Sequence, residues 1–403
     1  MNVPFHKPQI DEDDIQAVVE TLRSGWVTTG PAVKRFEETF AEYVGAQHAI
    51  AVNSCTAAMH LSLAALGVGP GDEVLTSPYT FVATAEAIQY LGARPVLVDV
   101  CEHDCNLDPV ALEKTLAASA NNGAHVKAVM PVHIAGHPCD MNAIRDLARK
   151  YDVAVVEDAA HCLEGQVRVA GAWEKIGAVS EATCFSFYAT KNITTGEGGM
   201  VTTNRDDLAQ RIRTLCLHGM SRDAWKRYSA EGSWYYEIVA RGYKYNMPDI
   251  LAALGLSQMS KAEEMFERRR EYAAFLLGEL ADVEEIILPE ASPEVVHAWH
   301  LFMIRLRPER LTLTRSAFIE ALKRAGVHAS VHFIPLHLHP FFQERFGYAA
   351  GDFPVAERIY ESVLSLPFYP AMTVEQLRYV ARTVKETIRQ HRRTGQVPVV
   401  QAA

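Results

Sequence analysis

From about residue 48 to residue 203 the chain repeats one unit: a short apolar run, a turn signal, then a helical stretch. AIAV (49–52), EVLT (73–76), PVLVDV (95–100), VKAVMPV (126–132), VAVVED (153–158), ATCFSF (182–187) and GMVTT (199–203) stay apolar instead of alternating with polar residues. A strand wetted on one face alternates, whereas a strand buried on both faces does not. Helical stretches over 56–66 and 81–91 follow the first two runs. The pattern therefore predicts an α/β domain with a large, mostly parallel sheet covered by helices on both faces.

Before that series, Ile15, Val18, Val19 and Leu22 form an amphipathic helical stripe over 11–25 that starts with acids. Near residue 246 the character changes. Pro248 stands where a helix can start, and a long helical stretch runs to about residue 280. Beyond it, 297–305 and 327–333 read as strands, with helices near 314–325 and 374–390. The expected division is a large domain over 1–246 with its N-terminal helical segment, a linking helix over 247–282, a smaller α+β domain over 283–391, and a disordered tail over 392–403. A chain of 403 residues is long enough for two cores.

The net charge of −10 gives no electrostatic footprint for nucleic acid or an anionic membrane surface. An anionic ligand must then be caught by a few placed donors. The N-terminus lacks the basic-then-apolar order of a secretory signal, and no apolar run approaches the roughly 18 residues that span a bilayer. Seven scattered cysteines read as reduced thiols of a cytoplasmic protein, with no second pair to complete a zinc set around Cys101 and Cys105.

Ligands of an open α/β sheet sit at the carboxyl ends of its strands, so residues that follow the apolar runs carry the interest. Asp158 ends VAVVED, and Lys191, 33 residues on, follows FSFYAT and precedes the turn Gly196-Glu197-Gly198-Gly199. Alone, the first reads as a helix cap and the second as a solvated surface group. Together they suit a pyridine-containing cofactor: a buried carboxylate keeps the ring nitrogen protonated, and a lysine amine forms a Schiff base. Asn53-Ser54-Cys55-Thr56-Ala57 lies at a helix N-terminus, where backbone N–H groups and the Thr56 hydroxyl suit phosphate. Ser186 offers another hydroxyl. Phe81, after Pro78-Tyr79-Thr80, can stack on a flat ring; its alternative is core packing.

These residues lie in runs that resemble the DegT family of sugar aminotransferases over nearly the whole chain: GWVTTGP (25–31), GVGPGDEV (67–74), PYTFVAT (78–84), PVHIAGHPCDM (131–141), VEDAAH (156–161), FSFYATKNITTGEGGM (185–200), GYKYNMPDI (242–250) and PLHLHP (335–340). Within the family the pattern is most like enzymes that aminate UDP-linked 4-keto sugars, nearest to those making UDP-4-amino-4-deoxy-L-arabinose. The resemblance implies the pyridoxal-phosphate-dependent transferase fold of type I and pyridoxal 5'-phosphate as cofactor. It makes Lys191 the cofactor-bearing lysine, Asp158 the partner of the ring nitrogen, and Phe81 the stacking aromatic. His161 lies beside the phenolic oxygen, while Thr56, Ala57 and Ser186 hold the phosphate. Such enzymes are homodimers whose partner completes each site through a loop matching 242–246; here Lys244 and Asn246 replace the common asparagine and arginine. Thr28, Thr29, His300 and His332 are candidate substrate contacts, with a structural histidine as the alternative for the last two.

The implied partners are L-glutamate, leaving as 2-oxoglutarate, and a keto sugar on a nucleotide diphosphate, for surface polysaccharide or lipopolysaccharide synthesis. Amination at C3, or a dTDP or GDP carrier, stays open. The family's sugar 3-dehydratases carry histidine where Lys191 stands, so Lys191 argues for transamination. A non-catalytic regulator is disfavoured because Asp158, Lys191, Ser186 and Thr56 are all present. The run 67–71 lacks the spacing of a nucleotide fingerprint and reads as a turn. His328, His332, His337 and His339 lack a carboxylate set for metal. Arg222, Trp225, Lys226, Arg227, Tyr228 and Trp234 interleave as in single-strand nucleic-acid binding, but Asp223 and Glu231 dilute the charge.

Overall fold

The computed structural model describes residues 1–221 and 235–393. The aromatic-basic run 222–234 and the tail from 394 lie outside the described residues. Among the described residues thirteen strands are formed: β1 His48–Val52, β2 Asp72–Thr76, β3 Arg94–Leu97, β4 His125–Met130, β5 Ala154–Asp158, β6 Gln166–Val169, β7 Ala172–Lys175, β8 Ala182–Ser186, β9 Gly199–Thr203, β10 Ile286–Ile287, β11 Val295–Val296, β12 Phe302–Leu306 and β13 Val363–Leu366.

The seven apolar runs become one seven-stranded sheet in the order β1-β9-β8-β5-β4-β2-β3. Alternate residues of one strand feed opposite cores: Ala49, Leu75, Val129, Val155 and Phe185 pack on one face, and Ile50, Val74, Ala128, Val156 and Cys184 on the other. This two-sided burial is why the runs are apolar throughout. The sheet is parallel except at β9, which pairs antiparallel with both β1 and β8. The return from residue 187 to 198 holds turns and no helix, so nothing carries the chain back across the sheet as a parallel neighbour usually requires.

The C-terminal unit packs the sheet β10-β12-β13 against helices Arg315–Arg324 and Val374–His391. A capping box, with Thr373 and Gln376 exchanging side-chain bonds, starts the second of these. Three expectations change here. The helical stretch after Pro248 is two helices, Asp249–Met259 and Ala262–Leu280, because Lys261 turns aside to Asp11 and Asp14, 2.7 and 2.8 Å away. Residues 297–301 are not a strand; Trp299 has φ of 49° and the chain wraps a turn at Ile134–Gly136. Residues 327–333 form only isolated bridges, Val327 with Val3 and Ser330 with Ser365. Val3 thereby joins the C-terminal core. Among the described residues no helix is long and apolar enough to cross a membrane.

Candidate active site

The carboxyl ends of β5 and β8 open into a cleft of about 540 Å³. Thr56, Phe81, Asp158, His161, Ser186, Lys191, His300 and His332 all line it, although they span 276 residues of sequence from Thr56 to His332. Parallel neighbours β5 and β8 end side by side, which brings the Asp158 and Lys191 segments together.

Asp158 is 5% exposed. Its Oδ2 accepts from Thr84 Oγ1 at 2.8 Å and its Oδ1 from the Ala160 N–H at 3.2 Å. Burial pushes this carboxyl up, against the pull of Thr84, Ala160 and the Lys191 charge. Burial also lowers the Lys191 amine to about 8, despite the opposing influence of Cys55 and Asp158. An amine that sheds its proton near neutrality is the form that attacks a carbonyl carbon.

Ser54 caps the helix Cys55–Ala65, its Oγ accepting from the Ala57 N–H at 3.1 Å. That bond uses the donor expected to meet a phosphate at Ala57, and Ala57 does not line the cleft. Cys55 and Thr56 keep the first-turn N–H groups, beside the Thr56 and Ser186 hydroxyls. A Cβ on Gly199 would lie 2.5–2.6 Å from the Ser54 and Cys55 backbone, so the glycine turn lets β9 start directly against this helix end. Phe81 is 60% exposed at the cleft, which sets aside core packing for it.

The His161 ring stacks on His300 with centroids 4.3 Å apart, and on Phe333 at 6.0 Å. Its buried Nδ1 has no hydrogen-bond partner within the described chain. Burial, reinforced by neighbouring positive charge, holds His161 and His300 neutral. His332 is driven to about 4 by burial and Lys191, and its Nδ1 meets Ser365 Oγ at 2.9 Å. The donor set fits pyridoxal phosphate: a buried carboxylate, an amine of lowered basicity, an orphaned imidazole nitrogen and a helix end with hydroxyls. Asp158 would meet the ring nitrogen, Lys191 the carbonyl carbon, and Thr56 and Ser186 the phosphate.

Thr28, Thr29, Lys244 and Asn246 are placed elsewhere. They line a second cleft of about 1000 Å³ and none of them lines the first. There Asn246 donates to Thr29 Oγ1 at 2.6 Å, and Lys244 donates to Asn246. Three of the four C-terminal histidines each meet a different partner: His328 meets Asn2, His332 meets Ser365, and His337 meets Glu357. Cys101, His103 and Asp104 gather ligand atoms within 4.8 Å of one another, and burial with the Asp104 and Asp108 carboxylates pushes the Cys101 thiol up to about 12.

Sequence reasoning missed several members of the site. Thr84 stands inside PYTFVAT, three residues beyond Phe81, where a helical turn returns its hydroxyl to Asp158. Phe5 and His6 line the cleft from the N-terminus, and nothing local in the sequence marks them. His133 follows the β4 run; its Nδ1 accepts from the Cys139 N–H, so Nε2 donates to the buried Glu157 carboxylate at 2.9 Å.

Comparison with known proteins points to one family. A model described as the DegT/DnrJ/EryC1/StrS aminotransferase family matches residues 8–385. The chain is 49% identical over 390 residues to MJ1066 of Methanocaldococcus jannaschii, covering 97% of this chain and 98% of that protein. It is 47% identical over 388 residues to the spore coat polysaccharide biosynthesis protein SpsC of Bacillus subtilis, covering 96% and 97%. Among solved structures, the Streptococcus pneumoniae protein Spr1654, described as a sugar aminotransferase, superposes in its PMP form with TM-score 0.88 at 31% identity, covering 96% of this chain and 100% of that one. Helicobacter pylori PseC, an aminotransferase involved in pseudoaminic acid biosynthesis, superposes with TM-score 0.87 at 28% identity, covering 97% and 100%.

Proposed function

Because this chain belongs to the DegT/DnrJ/EryC1/StrS aminotransferase family, we propose that it moves an amino group from L-glutamate to C4 of a UDP-linked 4-keto sugar, in the cytoplasm, for surface polysaccharide or lipopolysaccharide synthesis. The chain is an aminotransferase of fold type I that uses pyridoxal phosphate. The observation that carries the transamination is the shared cleft of Asp158 and Lys191 on neighbouring strand ends, walled by histidines and hydroxyls; the sugar and its carrier follow from the likeness of runs 185–200 and 242–250 to enzymes that aminate UDP-linked 4-keto sugars. The name of SpsC, a spore coat polysaccharide biosynthesis protein, supports a product destined for a surface polysaccharide.

When bound, the cofactor would supply an electron sink and a carrier for the amino group between donor and acceptor. Asp158 holds a proton on the ring nitrogen. Lys191 moves a proton only on the ring face that it occupies, so one amine epimer forms. Phe81 stacks, and Cys55, Thr56 and Ser186 orient the phosphate. Lys244, Asn246, Thr28 and Thr29 are proposed to serve the site of a second subunit, since in their own chain they line a different cleft. UDP-, dTDP- and GDP-linked 4-keto sugars offered with L-glutamate test the assignment, with the amine position and configuration read by NMR. Amination of the UDP sugar at C4 is expected. Amination only at C3, or efficient use of ordinary 2-oxo acids instead of nucleotide sugars, overturns it.

A further inference from the structure

Behind Lys191 lies a buried polar chain that the transamination steps above do not use. Glu164 is 1% exposed, and its Oε2 accepts from Nδ2 of Asn192, the residue after Lys191. Asn192 also donates to the Ala298 carbonyl at 3.3 Å, and its Oδ1 faces His300 Nδ1 at 2.9 Å. The order of these contacts fixes the protons. Burial raises the Glu164 carboxyl to about 7, so above that pH it only accepts, as the Ala298 carbonyl does at any pH, and both point at the amide NH2. The amide oxygen must then face His300, and Nδ1 must carry the hydrogen. His300, held neutral, is left with a bare lone pair on Nε2.

The backbone around His300 is clamped as well. The His300 and Leu301 N–H groups both donate to the Ala135 carbonyl, at 2.9 and 3.1 Å. The buried Arg269 donates to the Trp299 and His300 carbonyls, at 3.2 and 3.4 Å. A Cβ on Gly136 would come within 2.8 Å of the His161 carbonyl oxygen and 3.0 Å of the His300 nitrogen, so the turn presses closely on both histidines. The ring can neither swing away nor exchange its protonated edge while Asn192 is held.

We propose that Glu164 and Asn192 are positioning residues that lock His300 in its Nδ1–H form, so that Nε2 serves the cleft as a hydrogen-bond acceptor for a hydroxyl of the sugar. A lone pair repels phosphate oxygens, so His300 selects on the sugar ring and not on the diphosphate. His332 has no such lock, because its Ser365 partner can donate or accept. The assignment rests on reading the cleft as a sugar-aminating site, but its first test needs no sugar.

Holoenzyme carrying ¹⁵N-histidine, held at pH 8.5 and with His300 assigned from a His300→Gln sample, reports which ring nitrogen bears hydrogen. Nδ1 protonated and Nε2 bare is the expected result, retained in Glu164→Gln, whose amide oxygen still accepts from Asn192. Glu164→Met and Asn192→Ala should release the lock and populate the Nε2–H form. Losing one neutral hydrogen bond should raise the sugar KM about three- to tenfold, with kcat moving less. A wild-type His300 protonated at Nε2, or a folded Glu164→Met with wild-type tautomer and KM, overturns the proposal. If Glu164→Met does not fold, Asn192→Ala and the wild-type tautomer decide. A protein that aminates no nucleotide sugar but shows the Nδ1–H lock refutes the proposed substrate, leaving the lock itself in place.

Discussion

Lys191 should make the cofactor-free protein less stable at neutral pH than a chain with an apolar side chain there. Burial lowers its amine from 10.5 to about 8. Between these values the unfolded chain takes up a proton that the folded chain refuses, so stability rises with pH across that window and is lowest below it. The full drop corresponds to roughly 3 kcal/mol. Part of the side chain stays accessible, and removing its charge also deprives Asp158 of a favourable neighbour, so both effects reduce the figure. Lys191→Met keeps the stem length without the ammonium, and should stabilise the protein by about 1–2 kcal/mol at pH 7. Urea unfolding of both proteins, prepared without pyridoxal phosphate, measures the gap from pH 7 to pH 10.5. The gap should shrink toward zero at the alkaline end. A gap that is flat with pH, or a less stable Met variant at pH 7, refutes the argument that the folded site disfavours the charged amine.

Asp158→Asn should leave the fold intact, because Thr84 can turn its hydroxyl to Thr80, 2.8 Å away, when an amide NH2 faces it. Losing a charge-assisted bond of about 1.5–3 kcal/mol should slow the glutamate half-reaction by one to two orders of magnitude, and a variant within a few-fold of wild type would remove the role. Mixing inactive Lys191→Ala with inactive Lys244→Ala should restore about a quarter of the wild-type sites, since half the dimers are mixed and one of their two sites is native. Verified mixed dimers without recovered activity would show that Lys244 does not act across subunits.

What was legible in the sequence follows a physical division. Asp158, Lys191, Ser186 and Thr56 could be singled out because each lies at or just beyond an apolar run, and in an open sheet that is where ligands meet the chain. The direction of β9 was hidden, since a buried strand reads alike either way. Only the return from 187 to 198, a glycine- and threonine-rich turn with no helix, carries that information. The His297–Arg305 stretch looked like one strand because its apolar residues suit one. The carbonyl of Ala135, more than 160 residues earlier, holds its first half in another shape. The supporting residues were harder still. Glu164 and Asn192 are 28 residues apart, and His300 is 108 beyond Asn192. A buried carboxylate, an amide and an imidazole have no periodicity and no composition signal. Their meaning comes from which proton each can give, and that is set only when the fold brings them into contact. Residues that do chemistry can thus be read from their place at strand ends, while those that fix the chemistry's tautomers must be read from hydrogen-bond order in three dimensions.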